Sequence, residues 1–296
     1  MLWLVFALLW KLFWAISNIL EKYTVDKISK WAYDYLFYSA IFELLFSFVI
    51  YMFFDVSFSV LAIISGILLV SAIFFYVKAL EDAELSAVIP LFETIPIFVL
   101  IISYVVFGKT ITDTQFLAFV IILLGWIIVS TNFSYLKKLK VDKSFFLMLF
   151  ASFLYALVFS ISDFVVWNTN VATVAFWEWI WFFIWTLFFF FLKKSREEII
   201  SWIKDFSWKK FYLFWFSNSF DKLWMITTYK AFSLVSNPAL VSVLWWIQAF
   251  LVLVFTSILS VFYPNIIKEN IETKIIIQKI IWIVFIFIGI YILYMF

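Results

Sequence analysis

Ten apolar stretches, each long enough to cross a bilayer as a helix, constrain the fold of this chain more than any other feature. A transmembrane helix needs about 20 predominantly apolar residues. The predicted spans are 2–20, 33–54, 57–79, 85–106, 114–132, 145–166, 172–192, 211–232, 239–262 and 275–295. Hydrophobic residues make up 67% of the chain and charged residues 14%, whereas soluble domains are about half apolar and a quarter charged. We therefore predict an all-α integral membrane protein with about ten transmembrane helices.

The residue types that are absent narrow the possible chemistry. The chain has no Cys and no His, which excludes disulfides, thiolate metal sites, Ser-His-Asp triads and catalytic thiols. It also has no Walker motif for ATP. We therefore expect no cofactor, no metal and no enzymatic activity. The net charge of +2 comes without a basic domain, so we expect a lipid bilayer as the partner and no nucleic acid.

Polar landmarks recur at matching places in the two halves of the chain. An Ile-Ser-Asn or Ile-Ser-Asp triplet, a Lys-Ala pair, a Glu within a span and a seven-residue step to Gly each occur twice. The triplets are residues 16–18 and 161–163, and the Lys-Ala pairs are 78–79 and 230–231. The Glu residues are Glu43 and Glu178, and the seven-residue steps are 118–125 and 282–289. The matches predict repeats over 1–140 and 141–296. Because five helices per repeat is an odd number, the second repeat would enter from the opposite face, giving inverted repeats.

These landmarks resemble the drug/metabolite transporter superfamily, specifically its EamA-like ten-helix family. The clearest stretch is FYVKALEDAELSAVIPLFETIPIFVLIISYVVFGKTITDTQFLAFVIILLG, residues 75–125, and 229–244 and 280–293 repeat parts of it. Lys109 departs from the resemblance, since the family usually carries Glu after that Gly. The resemblance implies a multi-pass protein of the cell membrane that moves a small molecule, most often outward.

Ionisable or polar groups inside the predicted spans are the candidates for substrate binding or coupling, because such groups at bilayer depth usually face a cavity or a partner. The candidates are Glu93, Glu43, Glu178, Asn18, Asp163, Lys11, Lys222 and Gln248. Glu93 lies between Pro90 and Pro96, whose broken backbone hydrogen bonds are typical of a helix that lines a cavity. The alternative is a Glu paired with a nearby Lys for structure.

The remaining candidates have equally plain alternatives. Glu43 and Glu178 could carry protons, or each could hold a helix through one hydrogen bond. Asn18 and Asp163 could face the cavity or join two helices by hydrogen bonds. Lys222 follows Asp221 directly, and the two charges could simply neutralise each other.

The tryptophan and glycine counts are unusual for a membrane protein. The chain has 17 Trp and 4 Gly, although Gly ordinarily makes up about 7% of residues and is frequent in transmembrane helices. Together they are 21 of 296 residues, about the ordinary glycine frequency. Several Trp, including Trp14, Trp126 and Trp282, stand where small residues are expected. We hypothesise that many of these Trp are glycines encoded by UGA; the alternative is abundant Trp in interfacial belts.

The basic residues predict an orientation. The odd-numbered connections between predicted spans hold 15 Lys and Arg, whereas the even-numbered connections hold only Lys109. Cytoplasmic loops are enriched in Lys and Arg, so the odd connections are predicted inside and both termini outside. The family resemblance favours both termini inside.

The leading functional prediction is a secondary transporter that exports a small metabolite by alternating access, with coupling to protons through Glu43, Glu93 or Glu178. A flippase for a lipid-linked intermediate and a membrane assembly factor are the alternatives. A membrane enzyme is disfavoured, because no cluster of catalytic groups lies at one membrane face. The pattern is compatible with a homodimer.

Overall fold

The all-helical character of the chain is confirmed by a computed structural model. The described residues are 2–27, 32–82, 91–92, 94–106, 108, 112–114, 116–117, 120–121, 124, 143–204, 207–235, 244, 246–263, 277, 281, 284–285, 288 and 292. They are almost entirely helical, and none of them forms a strand. Glu93 and most of the predicted fifth and tenth spans lie outside this set, as do Gly125, Trp126, Trp282 and Gly289.

Nine α-helices are present in the described residues. They are α1 (Leu2–Lys27), α2 (Ala32–Phe53), α3 (Val60–Asp82), α4 (Ile95–Val105), α5 (Lys143–Asn168), α6 (Val171–Leu187), α7 (Lys193–Lys204), α8 (Trp208–Phe232) and α9 (Trp246–Phe262). A short 3₁₀ turn, Phe188–Phe191, extends α6. Most bounds lie within a few residues of the predicted spans.

Five helices of the described chain are long and apolar enough to cross a membrane. These spans are Leu2–Thr24, Ala32–Phe53, Val60–Leu80, Lys143–Asn168 and Val171–Phe191. Helix α8 has 25 residues but is not among the five. It carries Asp221, Lys222 and Lys230 as well as Lys209 and Lys210, and these charges lower its apolar character. Part of that charge faces the interior of the bundle, as described below.

The helices pack in pairs that join distant parts of the chain. Helix α3 packs on α5, α1 on α8 and α2 on α6. Helix α4 also packs on α5, and α9 on α1. The core consists of the buried apolar side chains between these pairs. Residues of both predicted repeats therefore meet throughout the centre of the bundle.

The tight connection between α2 and α3 is fixed against the start of α6. The backbone N–H of Ser57 donates to Oγ1 of Thr173 over 3.0 Å, and Nε1 of Trp177 donates to the Ser57 carbonyl over 2.7 Å. Asn170 caps α6 by accepting from the Thr173 N–H, and its Nδ2 donates to the Asp55 carbonyl over 3.1 Å. The second connection is thus part of the contact between the two halves.

A short helix, α7, lies within the polar stretch 193–210 between α6 and α8. This helix ends at Lys204, and Trp208 already begins α8, whose first turn is capped by the side chain of Ser207. On α7, Ser195 and Ile199 are fully buried whereas Ile203 is exposed. The helix therefore lies along the bundle with one side covered and the other open.

Candidate functional site

One side of α1 carries a row of buried residues at helical spacing. Trp14, Asn18 and Glu21 follow at intervals of four and three residues, which places them on one face. All three are buried, with Glu21 at 9% exposure. The sequence predicts a helix end at residue 20, but α1 continues to Lys27, because the residues after Glu21 include no Pro or Gly to stop it. Glu21 therefore lies within the helix rather than at its end.

A small cavity lies beside this face of α1. Its volume is ≈ 10 Å³, room for about one water molecule. Most of the side chains that line it are acidic or aromatic. The lining residues are Trp14, Glu21, Tyr35, Ser39, Glu43, Ile73, Tyr76, Tyr155, Phe182, Asp221 and Trp224. They come from α1, α2, α3, α5, α6 and α8, so both halves of the chain build the cavity.

The cavity extends from the middle of the bundle toward one end. Glu43 lies at the middle of α2 and marks the inner part. Glu21 and Tyr76 lie near the C-terminal ends of α1 and α3, and Tyr35 lies near the start of α2. The end of α1 and the start of α2 lie on the same side of a membrane. The cavity therefore lies closer to that membrane face than to the opposite one.

Glu21 is a buried carboxylate held by hydroxyl groups. Oγ of Ser17, one turn earlier, donates to Oε1 over 3.2 Å, and the Tyr76 hydroxyl donates to Oε2 over 3.3 Å. Within the described part of the chain, no Lys or Arg forms an ion pair with this carboxylate. A buried charge without a counter-ion is costly, so Glu21 is suited to accept a cation or a proton.

The second feature of the cavity is a cluster of charges around Lys222. Its Nζ donates to Oε1 of Glu43 and, over 2.8 Å, to Oδ2 of Asp221. Nε1 of Trp224 donates to the other oxygen of Asp221 over 2.6 Å, and the ammonium lies 5.3 Å from the centroid of the Trp179 ring. The Lys222–Glu43 ion pair joins α8 to α2 and hence one half of the chain to the other.

The charges at the cavity do not balance. Three carboxylates line it, from Glu21, Glu43 and Asp221, and Lys222 is the ammonium that contacts two of them. A net charge of −2 is left over when all four groups are ionised. In a water-poor interior this charge attracts a cation more strongly than it would in bulk water.

Glu178 occupies a separate, fully buried position where four helices meet. The hydroxyls of Ser65 and Ser162 donate to its Oε1, and the hydroxyl of Tyr229 donates to its Oε2. Gly66 follows Ser65 at a close approach of α3 and α6, where a Cβ atom would lie 2.7 Å from the Glu178 carbonyl oxygen. Glu178 thus connects α3, α5, α6 and α8.

The structure places the sequence-predicted candidates in three groups. Glu43 lines the cavity and Lys222 contacts two of its carboxylates. Glu178 lies in its own hydroxyl cluster. The others within the described chain are buried but do not line the cavity: Lys11, Asn18, Asp163 and Gln248. The Lys11 ammonium lies 3.3 Å from the centroid of the Trp10 ring, and both amide atoms of Asn18 lack a hydrogen-bond partner among the described atoms.

Glu21 and three tyrosines are among the cavity residues that sequence reasoning missed. Glu21 followed the predicted first span, and Tyr35, Tyr76 and Tyr155 are common residue types in a chain that is 25% aromatic. The four-and-three spacing of Trp14, Asn18 and Glu21 is the signal that could have identified the carboxylate. Among the described residues, no three Asp or Glu side chains are arranged to hold a metal ion.

Comparison with known protein families finds a match in the N-terminal part of the chain. The EamA-like transporter family model matches residues 1–131. Members of this family are transporters of the drug/metabolite transporter superfamily rather than enzymes. The EamA-like match and the apolar helices together establish a multi-pass membrane protein.

The fold likeness extends beyond the EamA-like region. In all, 27 chains of known structure match. One of them, a crystal structure, shares 10% identity with a TM-score of 0.66, covering 97% of this chain and 94% of its own. At that identity the likeness concerns the fold alone, and it includes residues after 131. No curated protein matches this sequence.

Proposed function

We propose that this EamA-like chain is a secondary transporter that moves a small, positively charged metabolite across the cell membrane by alternating access. Export is the direction that the family resemblance favours. The observation that carries the proposal is the cavity between the two halves, where Glu21 has no ion-pair partner in the described chain and the other charges are paired. A cation is the ligand that would offset the excess negative charge of this site.

The proposed architecture is ten helices in two inverted repeats, 1–140 and 141–296. Swapping the halves exchanges α1 with α5, α2 with α6, α3 with α8 and α4 with α9. The packing of α3 on α5 then matches that of α8 on α1, and α4 on α5 matches α9 on α1. The contact of α2 with α6 maps onto itself. These exchanges support the duplication, and rocking of the halves about the α2–α6 contact is the motion we propose.

The chemistry of the cavity favours an organic cation over a neutral or anionic metabolite. Aromatic rings attract a positive charge through their faces, and Tyr35, Tyr76 and Tyr155 line the cavity together with Glu21. An anion would have to approach three carboxylates with one ammonium among them. The substrate class is therefore an amine or a similar nitrogen cation, with the Glu21 carboxylate as its counter-ion.

Proton coupling is assigned to the buried carboxyl groups. Glu21 would bind a proton and the cation in turn, because one negative charge cannot neutralise both at once. Glu43, Glu93 and Glu178 remain the other proposed coupling residues, and Glu43 differs from Glu21 in being paired with Lys222. Asn18, Asp163, Lys11 and Gln248 are proposed as residues that position the helices around the site.

The test is transport in proteoliposomes with an imposed pH gradient, using purified protein translated with the genetic code of its source organism. We expect putrescine or phenethylamine, but not glucose or succinate, to accumulate. The Glu21→Gln variant should lose this accumulation, whereas Glu197→Gln on the exposed side of α7 should retain it. Cation accumulation that is equal in both variants would refute the assigned role of Glu21.

The two alternative functions give different results in the same preparation. A flippase would translocate a lipid-linked probe and would not accumulate amines. An assembly factor would do neither. The cavity lies within one chain and its lining is mostly buried, which favours a small soluble substrate. A homodimer is not needed to complete the site.

A further inference from the structure

Four tryptophan rings fill the middle of the bundle. Trp10, Trp14, Trp179 and Trp224 are at most 3% exposed. Trp is rarely buried so completely, and a buried indole N–H usually has a hydrogen-bond partner. Nε1 of Trp179 has none among the described atoms. Trp14 and Trp179 lie near the middle of α1 and α6, whereas interfacial tryptophan belts form near the ends of transmembrane helices.

Two of these rings close the cavity. Trp14 from α1 and Trp224 from α8 stack with centroids 5.0 Å apart and planes 19° apart. Both line the cavity, one from each half of the chain. The space left is ≈ 10 Å³, whereas sites for small molecules are typically about 300–1,000 Å³. A cavity this small cannot hold an amine metabolite.

The repeat register indicates a small residue at one of these positions. The step from Lys78 to Lys230 places Trp224 opposite Ala72 in the other half. Ala72 is fully buried, so the equivalent place in α3 holds a side chain of one carbon. At Gly66 the helices already approach so closely that even a Cβ atom would meet backbone atoms. Small residues are the usual means of such close packing in membrane helices.

We propose that positions 14 and 224 are glycines in the working protein, specified by UGA codons read as glycine, and that this opens the central cavity to its substrate. UGA is read as tryptophan in some genetic codes and as glycine in others. The count of 17 Trp against 4 Gly is what this substitution produces across a chain. The inference about the substrate rests on the proposed function; the inference about the codons does not.

The change would have a direct effect on the chemistry of the cavity. Removing both indoles frees the space between Glu21, Asp221 and Tyr155, which line the same cavity. It also clears the turn of α1 before Asn18, whose buried amide lacks a partner among the described atoms. The opened site would thus offer a carboxylate and an amide to an aromatic amine, which would occupy the volume of the two rings.

The first experiment is independent of transport. The gene is read at codons 14 and 224, and the peptides that contain these positions are weighed by mass spectrometry of protein purified from the source organism. We expect UGA codons and masses that correspond to glycine. Masses that correspond to tryptophan at both positions would overturn the proposal.

The second experiment tests whether the cavity opens. Phenethylamine binding is measured by equilibrium dialysis for the chain as written, for the Trp14→Gly/Trp224→Gly double variant and for Trp215→Gly. Trp215 lies on α8 but is 51% exposed, so it controls for loss of any indole from that helix. We expect saturable binding in the double variant alone. A monodisperse, helical double variant that binds no more phenethylamine than the Trp215→Gly control would overturn the opening of the cavity.

The two proposals fail in different ways. If the double variant binds phenethylamine and the added change Glu21→Gln leaves that affinity unaltered, the proposed role of Glu21 is wrong while the opened cavity stands. If peptide masses show tryptophan, the codon proposal is wrong whatever the transport assay gives.

Discussion

The Lys222→Met substitution removes the ammonium that contacts Glu43 and Asp221 while keeping an unbranched side chain in its place. In the folded protein the Lys222 and Glu43 side chains are each 2% exposed, and that of Asp221 is 15% exposed. The variant therefore leaves two carboxylates in the interior without their counter-ion. Glu43 loses the hydrogen-bond partner of its Oε1.

The size of the effect follows from that burial. Removing one partner of a buried ion pair costs about 3–5 kcal/mol, because the remaining charge is uncompensated. Glu43→Gln should cost less, about 1–3 kcal/mol, since Lys222 keeps Asp221 and a neutral amide can still accept its hydrogen bond. In the double variant the Glu43 charge is already absent when Lys222 is lost. The loss of unfolding free energy in the double variant should therefore be smaller than the sum of the losses in the two single variants, by about 0.5–3 kcal/mol.

The assay is reversible unfolding in mixed micelles with increasing dodecyl sulfate, followed by circular dichroism. The four proteins of the cycle, wild type, two single variants and the double variant, give the coupling free energy directly. Free energies that add within about 0.5 kcal/mol would refute the contact between α2 and α8, because uncoupled sites behave in that way.

Three further predictions concern stability and orientation. Tyr229→Phe removes a hydroxyl donor from buried Glu178 and should cost about 1–3 kcal/mol in the same unfolding assay; no loss would contradict the hydroxyl cluster. Gly66→Ala places a carbon atom 2.7 Å from a backbone oxygen of α6 and should cost about 1–3 kcal/mol through overpacking, and a stabilised variant would contradict the close helix contact. Because the chain has no Cys, Asp55→Cys should react with an impermeant maleimide in intact cells and Lys193→Cys only after permeabilisation; the reverse pattern would invert the predicted orientation.

The helices could be predicted from sequence because the bilayer imposes a simple rule. A run of about 20 apolar residues is long enough to cross it, and the observed α2 (Ala32–Phe53) lies within one residue of the predicted span 33–54 at both ends. The end of α1 was predicted too early, since Glu21 and Lys22 interrupt the apolar run without interrupting the helix. Charge marks the limit of an apolar run, whereas Pro and Gly mark the limit of a helix.

The candidate site was predictable only in part. Glu43 and Lys222 stand out in sequence as charges at bilayer depth, but their pairing does not, because 179 residues separate them. That contact depends on how α2 and α8 cross, which local sequence does not specify. The hydroxyl partners of Glu178 come from three other helices for the same reason.

The position of Glu21 near one end of the cavity bears on how a carrier of this design would respond to concentration. In the register that pairs Ser17 with Ser162, the counterpart of Glu21 is Val166, a buried apolar residue. The two faces of the bundle are therefore chemically unequal, and the same cation should half-saturate the carrier at a lower concentration on the face nearer Glu21. Microscopic reversibility prevents this inequality from pumping anything by itself. It sets which face saturates first, while the imposed gradients alone set the final ratio of concentrations.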